Sequence, residues 1–391
     1  MGRKRLKIAF DAAPLTDDHL SGIGYCEAGL VQALPRLHPE HSYGFQYFTL
    51  RHGAEKAQRL APWLQPDTTV KAARFSPLAY RAMTSLLPVP YRLFFGGDAD
   101  ITHFFNYIAP PGVGGKTVVT VHDMVIRAFP ETVRTRTKLL LETGLKRSMQ
   151  RADRIVTDSE FSRSEIIKYY PAFADKLRVV YCGVDLKRFQ PVDDPAEIAR
   201  VKQAHGISGD YFLYLGTVEP RKNLVRLIEA YAKLLAQTEA PPKLVLAGGK
   251  GWLDSEIYQT VQTLQLDEQV LFTNYIPEAD LRGLLCGALA FVFPSVYEGF
   301  GMPPLEAMAC RVPVLASTAA SLPEVTGDCA VDVDAFDPES IAEGMYRLWS
   351  DAGLRQELAN RGYARAQTFT WDAAARQLYA VYEELLPGQG A

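Results

Sequence analysis

The chain has 391 residues, of which 48% are hydrophobic and 22% charged, with 29 glycines, 25 prolines and a formal net charge of −3. This length predicts two domains, and no window approaches the roughly 18 consecutive apolar residues of a membrane span. The five cysteines are scattered without CxxC spacing, and the basic start MGRKRLKIAFDAA leads into a strand-like run, which argues against a disulfide framework, a zinc site or a signal peptide and favours a reducing cytoplasm.

Charge divides the chain into two halves. Residues 1–188 contain 27 lysines and arginines against 18 aspartates and glutamates, whereas residues 189–391 contain 15 against 27. A basic first half and an acidic second half indicate either two units that meet different partners or a simple drift of surface charge.

Residues 1–188 alternate between two kinds of segment. Short apolar runs rich in β-branched residues end in Asp, His or Ser, and the segments between them show apolar residues at helical spacing. Ser159, with Ser162 and Glu165 after it, offers N-cap chemistry. Strands buried on both faces and separated by helices predict a parallel α/β sheet. The expected strands lie at 6–13, 99–105, 116–123 and 152–159, and the expected helices at 22–37, 136–152 and 159–170.

The segment 179–197, VVYCGVDLKRFQPVDDPAE, ends a strand and then becomes polar, which predicts a linker. The same alternation restarts after it, so we predict two doubly wound domains, 1–188 and 189–369, with ligands at the strand ends and in a cleft between the domains. An amphipathic helix at about 370–391 is expected to pack back on the first domain. The second set of strands is expected at 211–217, 243–249, 270–276, 288–295 and 312–317, and a helix at 223–237.

The segment GTVEPRKN (216–223) follows a strand and opens a helix, with Arg221 and Lys222 side by side. Such a turn presents backbone N–H groups and the positive end of a helix dipole. Arginine can hold phosphate oxygens with two parallel bonds, and lysine adds a point charge. The segment therefore predicts a pyrophosphate site, with a solvated Arg-Lys pair as the alternative.

The stretch SVYEGFGMPPLEAMAC (295–310) contains Glu298 and Glu306. They suggest an acid/base pair, a clasp for a ligand, or acidic residues at a helix start. Gly299 and Gly301 allow a tight backbone, and Pro304 is expected at the first helical position, with Glu306 in the first helical turn.

Next to a pyrophosphate site, a ligand-binding role for the two glutamates is favoured. Glu306 would accept hydrogen bonds from a ribose diol and Glu298 from the hydroxyls of a sugar, while backbone N–H groups at 300–302 meet the same sugar. On the first domain, the small turn SGIG (21–24) would let backbone approach a ligand, and His122 ends a strand where ligand-facing residues gather. A lone histidine can equally be structural.

These motifs together resemble the E-x7-E motif of retaining glycosyltransferases of family 4, which have the GT-B fold of two Rossmann-like domains facing across a cleft. EGFGMPPLE (298–306), GTVEPRKN, RADRIVTDSEFSRSEI, VVYCGVD and ACRVPVLASTAASLPEV are similar to that family in its order and cover most of the chain. The resemblance is greatest to bacterial mannosyltransferases that build polysaccharide or O-antigen chains from GDP-mannose.

The resemblance implies roles for particular residues. The nucleotide sugar would bind mainly to the C-terminal domain and the acceptor to the N-terminal domain. Some relatives carry an additional Arg where this chain has Thr217, so diphosphate binding would depend more on the neighbouring cations. The implied catalytic residues are Glu298, His122, Arg221 and Lys222, and the implied donor-binding residues are Gly22, Gly24, Arg221, Lys222, Tyr275, Ile276, Glu298, Phe300, Gly301, Met302 and Glu306.

The implied reaction is transfer with retention of anomeric configuration, without a metal or other cofactor. Front-face attack is favoured, and double displacement through a carboxylate stays open. The expected enzyme is a cytoplasmic hexosyltransferase at the inner face of the plasma membrane. It would move mannose from GDP-mannose onto a saccharide linked to undecaprenyl diphosphate, with no nucleic acid partner.

Other functions are compatible with parts of this pattern. They are the same fold with a UDP- or dTDP-sugar, a glycosidase with two carboxylates, a sugar-nucleotide epimerase, and a subunit that binds a sugar nucleotide without turnover. Two further stretches are basic: 80–97 mixes arginines with Leu86, Leu87, Phe94 and Phe95, and 134–151 carries six cations around an apolar stripe. They predict either peripheral contact with an anionic membrane or core helices with a solvated basic face.

Overall fold

The computed structural model describes residues 5–192, 194–239 and 241–386. Internal contacts divide the chain into two units. The first unit comprises the chain up to Ala128, Thr135–Gly183 and the chain from Trp371; the second comprises Phe129–Arg134 and Val184–Thr370. The division after Gly183 falls a few residues before the sequence-based boundary at 188, and the last expected helical residues, 387–391, lie outside the described ranges.

The first unit is built on a parallel sheet of seven strands in the order β3-β2-β1-β4-β5-β6-β7. Strands β1, β4, β5 and β6 occupy the apolar runs expected from the sequence. The strands are β1 (Lys7–Asp11), β2 (Ser42–Phe48), β3 (Thr69–Ala73), β4 (Ile101–Phe104), β5 (Lys116–Thr120), β6 (Arg154–Thr157) and β7 (Leu177–Val179), and the helices are α1 (Gly22–Leu37), α2 (Gly53–Leu60), α3 (Pro77–Leu86), α4 (Arg92–Phe95), α5 (Val125–Ala128), α6 (Thr135–Arg151) and α7 (Glu160–Tyr169).

The second unit has a parallel sheet of six strands in the order β10-β9-β8-β11-β12-β13. Its central strands are buried on both faces, as parallel strands covered by helices must be. The strands are β8 (Tyr211–Leu215), β9 (Lys243–Ala247), β10 (Val270–Asn274), β11 (Ala290–Phe293), β12 (Val314–Ser317) and β13 (Ala330–Val333), and the helices are α8 (Pro195–Ala204), α9 (Leu224–Gln237), α10 (Ser255–Thr263), α11 (Glu278–Cys286), α12 (Met302–Ala309), α13 (Leu322–Thr326), α14 (Pro338–Ser350) and α15 (Ala352–Ala366).

The last helix, α16 (Trp371–Glu383), belongs to the first unit and packs on α1. The contact is close: a Cβ atom added to Gly29 of α1 would lie 2.1 Å from the Trp371 ring, so only glycine fits there. Buried hydrogen bonds fix the helix further, because the Tyr382 hydroxyl lies 2.7 Å from Nδ1 of His103 on β4 and the Tyr379 hydroxyl 2.8 Å from Nε2 of His41.

Both sheets contain one point where the strand order reverses. In the first unit β1 lies between β2 and β4, and in the second unit β8 lies between β9 and β11. Loops that leave neighbouring strands in opposite directions open a crevice at their carboxyl ends, where open α/β sheets bind ligands. The expected architecture of two doubly wound α/β domains is confirmed. Within the described ranges, no helix is both long and apolar enough to span a bilayer.

Candidate active site

The reversal point of the second unit carries a buried cluster of charges. Arg221 and Lys222 follow β8, and Glu298 follows β11. Nη1 of Arg221 donates to Oε2 of Glu298 at 2.9 Å and to the backbone oxygen of Tyr297 at 2.7 Å. Nζ of Lys222 donates to Oε1 of Glu298 at 2.7 Å. Each oxygen of this carboxylate therefore accepts from a different cation.

The electrostatics of the cluster keep Glu298 ionised. The glutamate is 7% exposed and Lys222 8% exposed, so water screens little of their interaction. Burial alone would raise the pKa of Glu298, but the charges of Arg221 and Lys222 outweigh it and lower this pKa to about 2. Glu298 can accept hydrogen bonds from a ligand, but a carboxylate with this pKa is a weak base near neutral pH.

The chain between β8 and α9 explains how the cations reach Glu298. Pro220–Lys222 form a single 3-10 turn, and Asn223 then takes a left-handed conformation, with φ of 63°. Asparagine tolerates this conformation better than most residues. Its side-chain amide donates to the backbone oxygens of Pro294 at 2.9 Å and Ala335 at 2.6 Å. Asn223 thus ties the loop to the end of β11.

The turn before α12 differs from the sequence-based expectation. The helix begins at Met302, not at Pro304, because Gly301 closes the preceding turn with φ of 114°. Glu306 consequently lies beyond the first helical turn, where the helix dipole contributes less than we expected. A Cβ atom on Gly301 would lie 2.7 Å from Cδ2 of Leu322, so glycine is required both for its φ and for space.

Ser321 stabilises this turn through hydrogen bonds to its backbone. Its buried hydroxyl lies 2.9 Å from the backbone oxygen of Glu298 and 2.7 Å from that of Phe300. The Phe300 ring is itself buried and meets Phe369 edge-on at 5.9 Å between ring centroids. Contact between Phe300 and a ligand would therefore come from the backbone.

Two further expected groups lie elsewhere in the second unit. Burial raises the pKa of Glu306 to about 7, against a weaker opposing effect of the Arg188 charge. Near neutral pH this carboxyl can therefore take either form. Tyr275 and Ile276 follow β10, an edge strand of the six-stranded sheet. The Tyr275 side chain is 57% exposed, whereas Ile276 is buried.

His122 belongs to the first unit, after β5. Its Nδ1 lies 2.6 Å from Oδ2 of Asp158, and its Nε2 lies 2.7 Å from the backbone oxygen of Phe105. Burial would lower the pKa of His122, but the charge of Asp158 and the hydrogen bond from Nδ1 to that carboxylate raise this pKa to about 9. An imidazolium that donates from both nitrogens satisfies both acceptors, so His122 is a buried cation.

Gly22 and Gly24 also belong to the first unit, in the first turn of α1. The N-cap is Ser21, whose hydroxyl accepts a long hydrogen bond of 3.4 Å from the Gly24 amide. Gly24 is buried, and a Cβ atom there would lie 3.0 Å from Leu20. The small residues allow α1 to start close to the loop after β1.

Sequence reasoning missed several residues of this arrangement. Glu219 is buried and accepts from Nη2 of Arg221 at 2.6 Å, while Asn223 and Ser321 fix the two loops. All three lie inside motifs quoted for other reasons, GTVEPRKN and ACRVPVLASTAASLPEV. Glutamate beside the arginine could have been anticipated; the partners of Asn223 and Ser321 depend on the fold.

Family comparisons agree with the two-unit division. The model for "Glycosyltransferase Family 4" matches residues 29–188, and that for "Glycosyl transferases group 1" matches residues 197–365. O-antigen chain mannosyltransferase B of Escherichia coli is 33% identical over 391 residues, covering 97% of this chain and all of the relative. The chain belongs to the family 4 glycosyltransferases. Membership of this family argues against the glycosidase and epimerase functions considered above.

Other relatives extend the comparison. A serotype-specific mannosyltransferase of Escherichia coli is 30% identical over 308 residues, which are 75% of this chain but only 36% of that longer protein. Among solved structures, Anabaena Alr3699/HepE in complex with UDP and glucose superposes with a TM-score of 0.73 at 19% identity, covering 97% of this chain and all of that one. That likeness shows the GT-B fold of this glycosyltransferase.

Proposed function

We propose that this glycosyltransferase moves mannose from GDP-mannose, with retention of anomeric configuration and without a metal ion, onto a saccharide linked to a lipid diphosphate. The setting would be bacterial surface polysaccharide synthesis at the cytoplasmic face of the membrane. The observation that carries the proposal is the buried cluster of Arg221, Lys222 and Glu298 at the reversal point between β8 and β11. The names of the mannosyltransferase relatives support the choice of sugar.

In this proposal Arg221 and Lys222 bind the donor diphosphate. Guanidinium and ammonium groups form strong hydrogen bonds with phosphate oxygens. Negative charge grows on the diphosphate as it leaves, so two prearranged cations stabilise the transition state more than the ground state. Glu298 and Glu219 hold the cations in position before the donor arrives, which reduces the rearrangement needed during the reaction.

Glu298 then serves the transferred sugar as a hydrogen-bond acceptor. Two cations reduce the basicity and the nucleophilicity of its carboxylate, which favours a positioning role over double displacement. The acceptor hydroxyl attacks the anomeric carbon on the face from which the diphosphate departs. The bond from that carbon to the phosphate oxygen breaks, and this oxygen takes the hydroxyl proton.

The remaining expected residues complete the donor site. Glu306 would accept from the ribose hydroxyls, and the backbone of Tyr275 and Ile276 would hold the base. Amides of Phe300, Gly301 and Met302 would meet the sugar, and Gly22 and Gly24 the phosphates. His122 would act as a positioning residue, since both of its nitrogens are used within the first unit.

Thermal shift across a panel of nucleotide sugars tests the donor. GDP-mannose should raise the melting temperature most, with UDP-glucose, a dTDP-sugar and GDP-glucose as comparison ligands. Stabilisation by UDP-glucose and not by GDP-mannose would overturn the assignment. Donor binding without any turnover on a lipid-linked acceptor would instead indicate a binding subunit. The anomeric configuration of the product, read by NMR, tests retention.

Membrane contact is a separate part of the proposal. Four leucines on or beside α3, α4 and α6 are more than half exposed, among arginines of the same elements. Exposed apolar side chains beside basic ones suit the surface of an anionic membrane. The four are Leu78, Leu87, Leu93 and Leu139.

Vesicle sedimentation tests this contact. The protein should sediment with anionic vesicles at low salt and much less with neutral vesicles. Replacing Leu87 and Leu93 with serine should weaken sedimentation, whereas replacing the exposed Leu253 of the second unit should not. Failure of the wild-type protein to bind anionic vesicles would contradict membrane contact.

A further inference from the structure

The first unit contains a cavity of about 330 Å³ that the donor site does not explain. It opens at the carboxyl ends of β1 and β4, the reversal point of the seven-stranded sheet. Asp11 and Phe104, the last residues of those two strands, contribute to its lining, and parts of α3 and α6 form its sides. Its position and volume are typical of a small-molecule site.

Part of the cavity wall is aromatic. The rings of Phe48, Tyr80, Tyr91 and Phe104 line it and contact one another. Phe48 and Tyr80 lie 4.6 Å apart between ring centroids, and Tyr91 meets Phe104 edge-on at 5.3 Å. This cluster gives a rigid apolar surface that can accept the C–H face of a sugar ring.

Two polar groups among these rings suit hydroxyl recognition. Tyr91 is 3% exposed, and its hydroxyl has no hydrogen-bond partner among the described residues. A buried hydroxyl without a partner is costly, so a ligand that supplies one is favoured. Asp11 offers carboxylate oxygens at the same place, and Oδ1 accepts a long hydrogen bond of 3.4 Å from the Ala13 amide.

The side of the cavity formed by α6 is basic. Arg147 and Arg151 lie four residues apart on one face of the helix, and both line the cavity. In the described part of the chain neither forms an ion pair with a carboxylate; Nη1 of Arg151 donates to the backbone oxygen of Ala109 at 3.2 Å. Burial and the Arg147 charge lower the pKa of Arg151. Like charges at this spacing repel, so an anion placed between them would be bound favourably.

Arg81 of α3 also lines the cavity. The two stretches that suggested membrane contact therefore both contribute basic side chains to one concave site, and 80–97 also contributes the rings of Tyr80 and Tyr91. All three arginines are exposed to solvent, and they line a cavity that also contains the carboxylates of Asp11 and Asp17. The cavity therefore suits a ligand with both a sugar ring and a compact anionic group.

We propose that this cavity binds a saccharide bearing a phosphoryl group, with the sugar on the aromatic wall near Asp11 and the phosphoryl group on Arg147 and Arg151. The inference rests on the proposed function, because it makes this saccharide the acceptor. A lipid-linked glycan diphosphate and a soluble glycan phosphate share this chemistry. The exposed leucines on the elements around the cavity favour the lipid-linked source.

Calorimetric binding of mannose 1-phosphate, with GDP present to occupy the donor site, tests the assignment. The wild-type protein should bind it, and the variant with Arg147→Met and Arg151→Met should bind at least tenfold more weakly. Lys146→Met, which removes an adjacent exposed charge that does not line the cavity, should change binding less than twofold. Methyl mannoside should bind weakly and equally to all three proteins.

Further probes separate the two parts of the ligand. Tyr91→Phe, which removes only the hydroxyl, should weaken binding of both mannose 1-phosphate and methyl mannoside. Equal binding by the wild-type protein and the double arginine variant would overturn the inference, as would inorganic phosphate binding as tightly as mannose 1-phosphate. Much tighter binding of a decyl diphosphate of mannose would identify the lipid-linked source, and similar binding the soluble source.

Failure here differs from failure of the proposed function. If GDP-mannose neither binds nor turns over while mannose 1-phosphate binding depends on the arginines, the proposed function fails and the cavity assignment stands. If mannose is transferred but the acceptor KM of the double arginine variant equals that of the wild-type protein, the cavity assignment fails alone.

Discussion

The reversal points of the two sheets present their cations in different ways. After β8, the buried Lys222 and the half-buried Arg221 are paired with Glu298, and a second buried carboxylate, Glu219, holds the arginine. Beside β1, Arg147 and Arg151 are exposed and have no carboxylate partner in the described ranges. Buried paired charges are part of the folded structure, whereas exposed charges without an ion pair at a cavity are available to an anionic ligand.

Removing the Glu298 carboxylate should have the largest effect on stability. Glu298→Leu leaves the buried Lys222 without its carboxylate, and breaking a buried ion pair costs about 3–5 kcal/mol. The free energy of unfolding from urea titration should fall by that amount. The double arginine variant is the control and should change it by less than ~0.5 kcal/mol. Equal stability of all three proteins would contradict the distinction.

The first unit has a buried paired cation of its own in His122. Its pKa of about 9 lies above the ordinary 6.5, so its ion pair contributes fully below pH 6.5. That contribution, about 3 kcal/mol, should be lost as the pH rises to about 9. Urea midpoints between pH 6 and 10 measure this loss. Asp158→Asn should remove most of the dependence, and parallel curves for the two proteins would refute the pairing.

Glu306 tests how the donor site responds to protonation. Its pKa near 7 makes the ionised form, which accepts from both ribose hydroxyls, less populated in acid. The Kd of GDP should therefore rise as the pH falls below 7, approaching about tenfold per pH unit. Fluorescence titration from pH 5.5 to 8.5 measures it. Glu306→Gln should bind with little pH dependence, and the same slope in both proteins would remove Glu306 from the ribose site.

The smallest expected effect concerns the support beneath the sugar loop. Ser321→Ala removes a hydroxyl that reaches the backbone oxygens of Glu298 and Phe300, at a cost of about 1 kcal/mol. The donor KM should rise because the loop loosens. Thr326→Val removes a comparable buried bond, to the Leu322 backbone oxygen, without touching the loop. A donor KM that responds equally to both changes would argue against the role of Ser321.

Sequence patterns predicted the fold class because buried parallel strands appear as continuous apolar runs, as in KTVVT of β5 and AFVF of β11. They did not indicate β2 and β3. Strand β3 is the outermost of its sheet, and three of its five residues are exposed, so its sequence TVKAA lacks an apolar run. The start of α12 was misplaced because proline signals were given more weight than Gly301.

The candidate site was predictable in its residue types but not in its pairing. Adjacent cations after a strand indicated Arg221 and Lys222, yet their bonds with Glu298 join residues more than 70 positions apart. Only the order of β8 and β11 in the sheet brings the two loops together. The cavity of the first unit is harder still to predict, because residues between Asp11 and Arg151 line it.

The ratio of GDP to GMP affinity tests the central claim, that Arg221 and Lys222 bind the donor diphosphate, most directly. GDP should bind the wild-type protein far more tightly than GMP, because only GDP carries the second phosphate. Lys222→Met should reduce this ratio at least tenfold, while Glu306→Gln should weaken both nucleotides equally and preserve it. An unchanged ratio in a folded Lys222→Met protein would contradict the account.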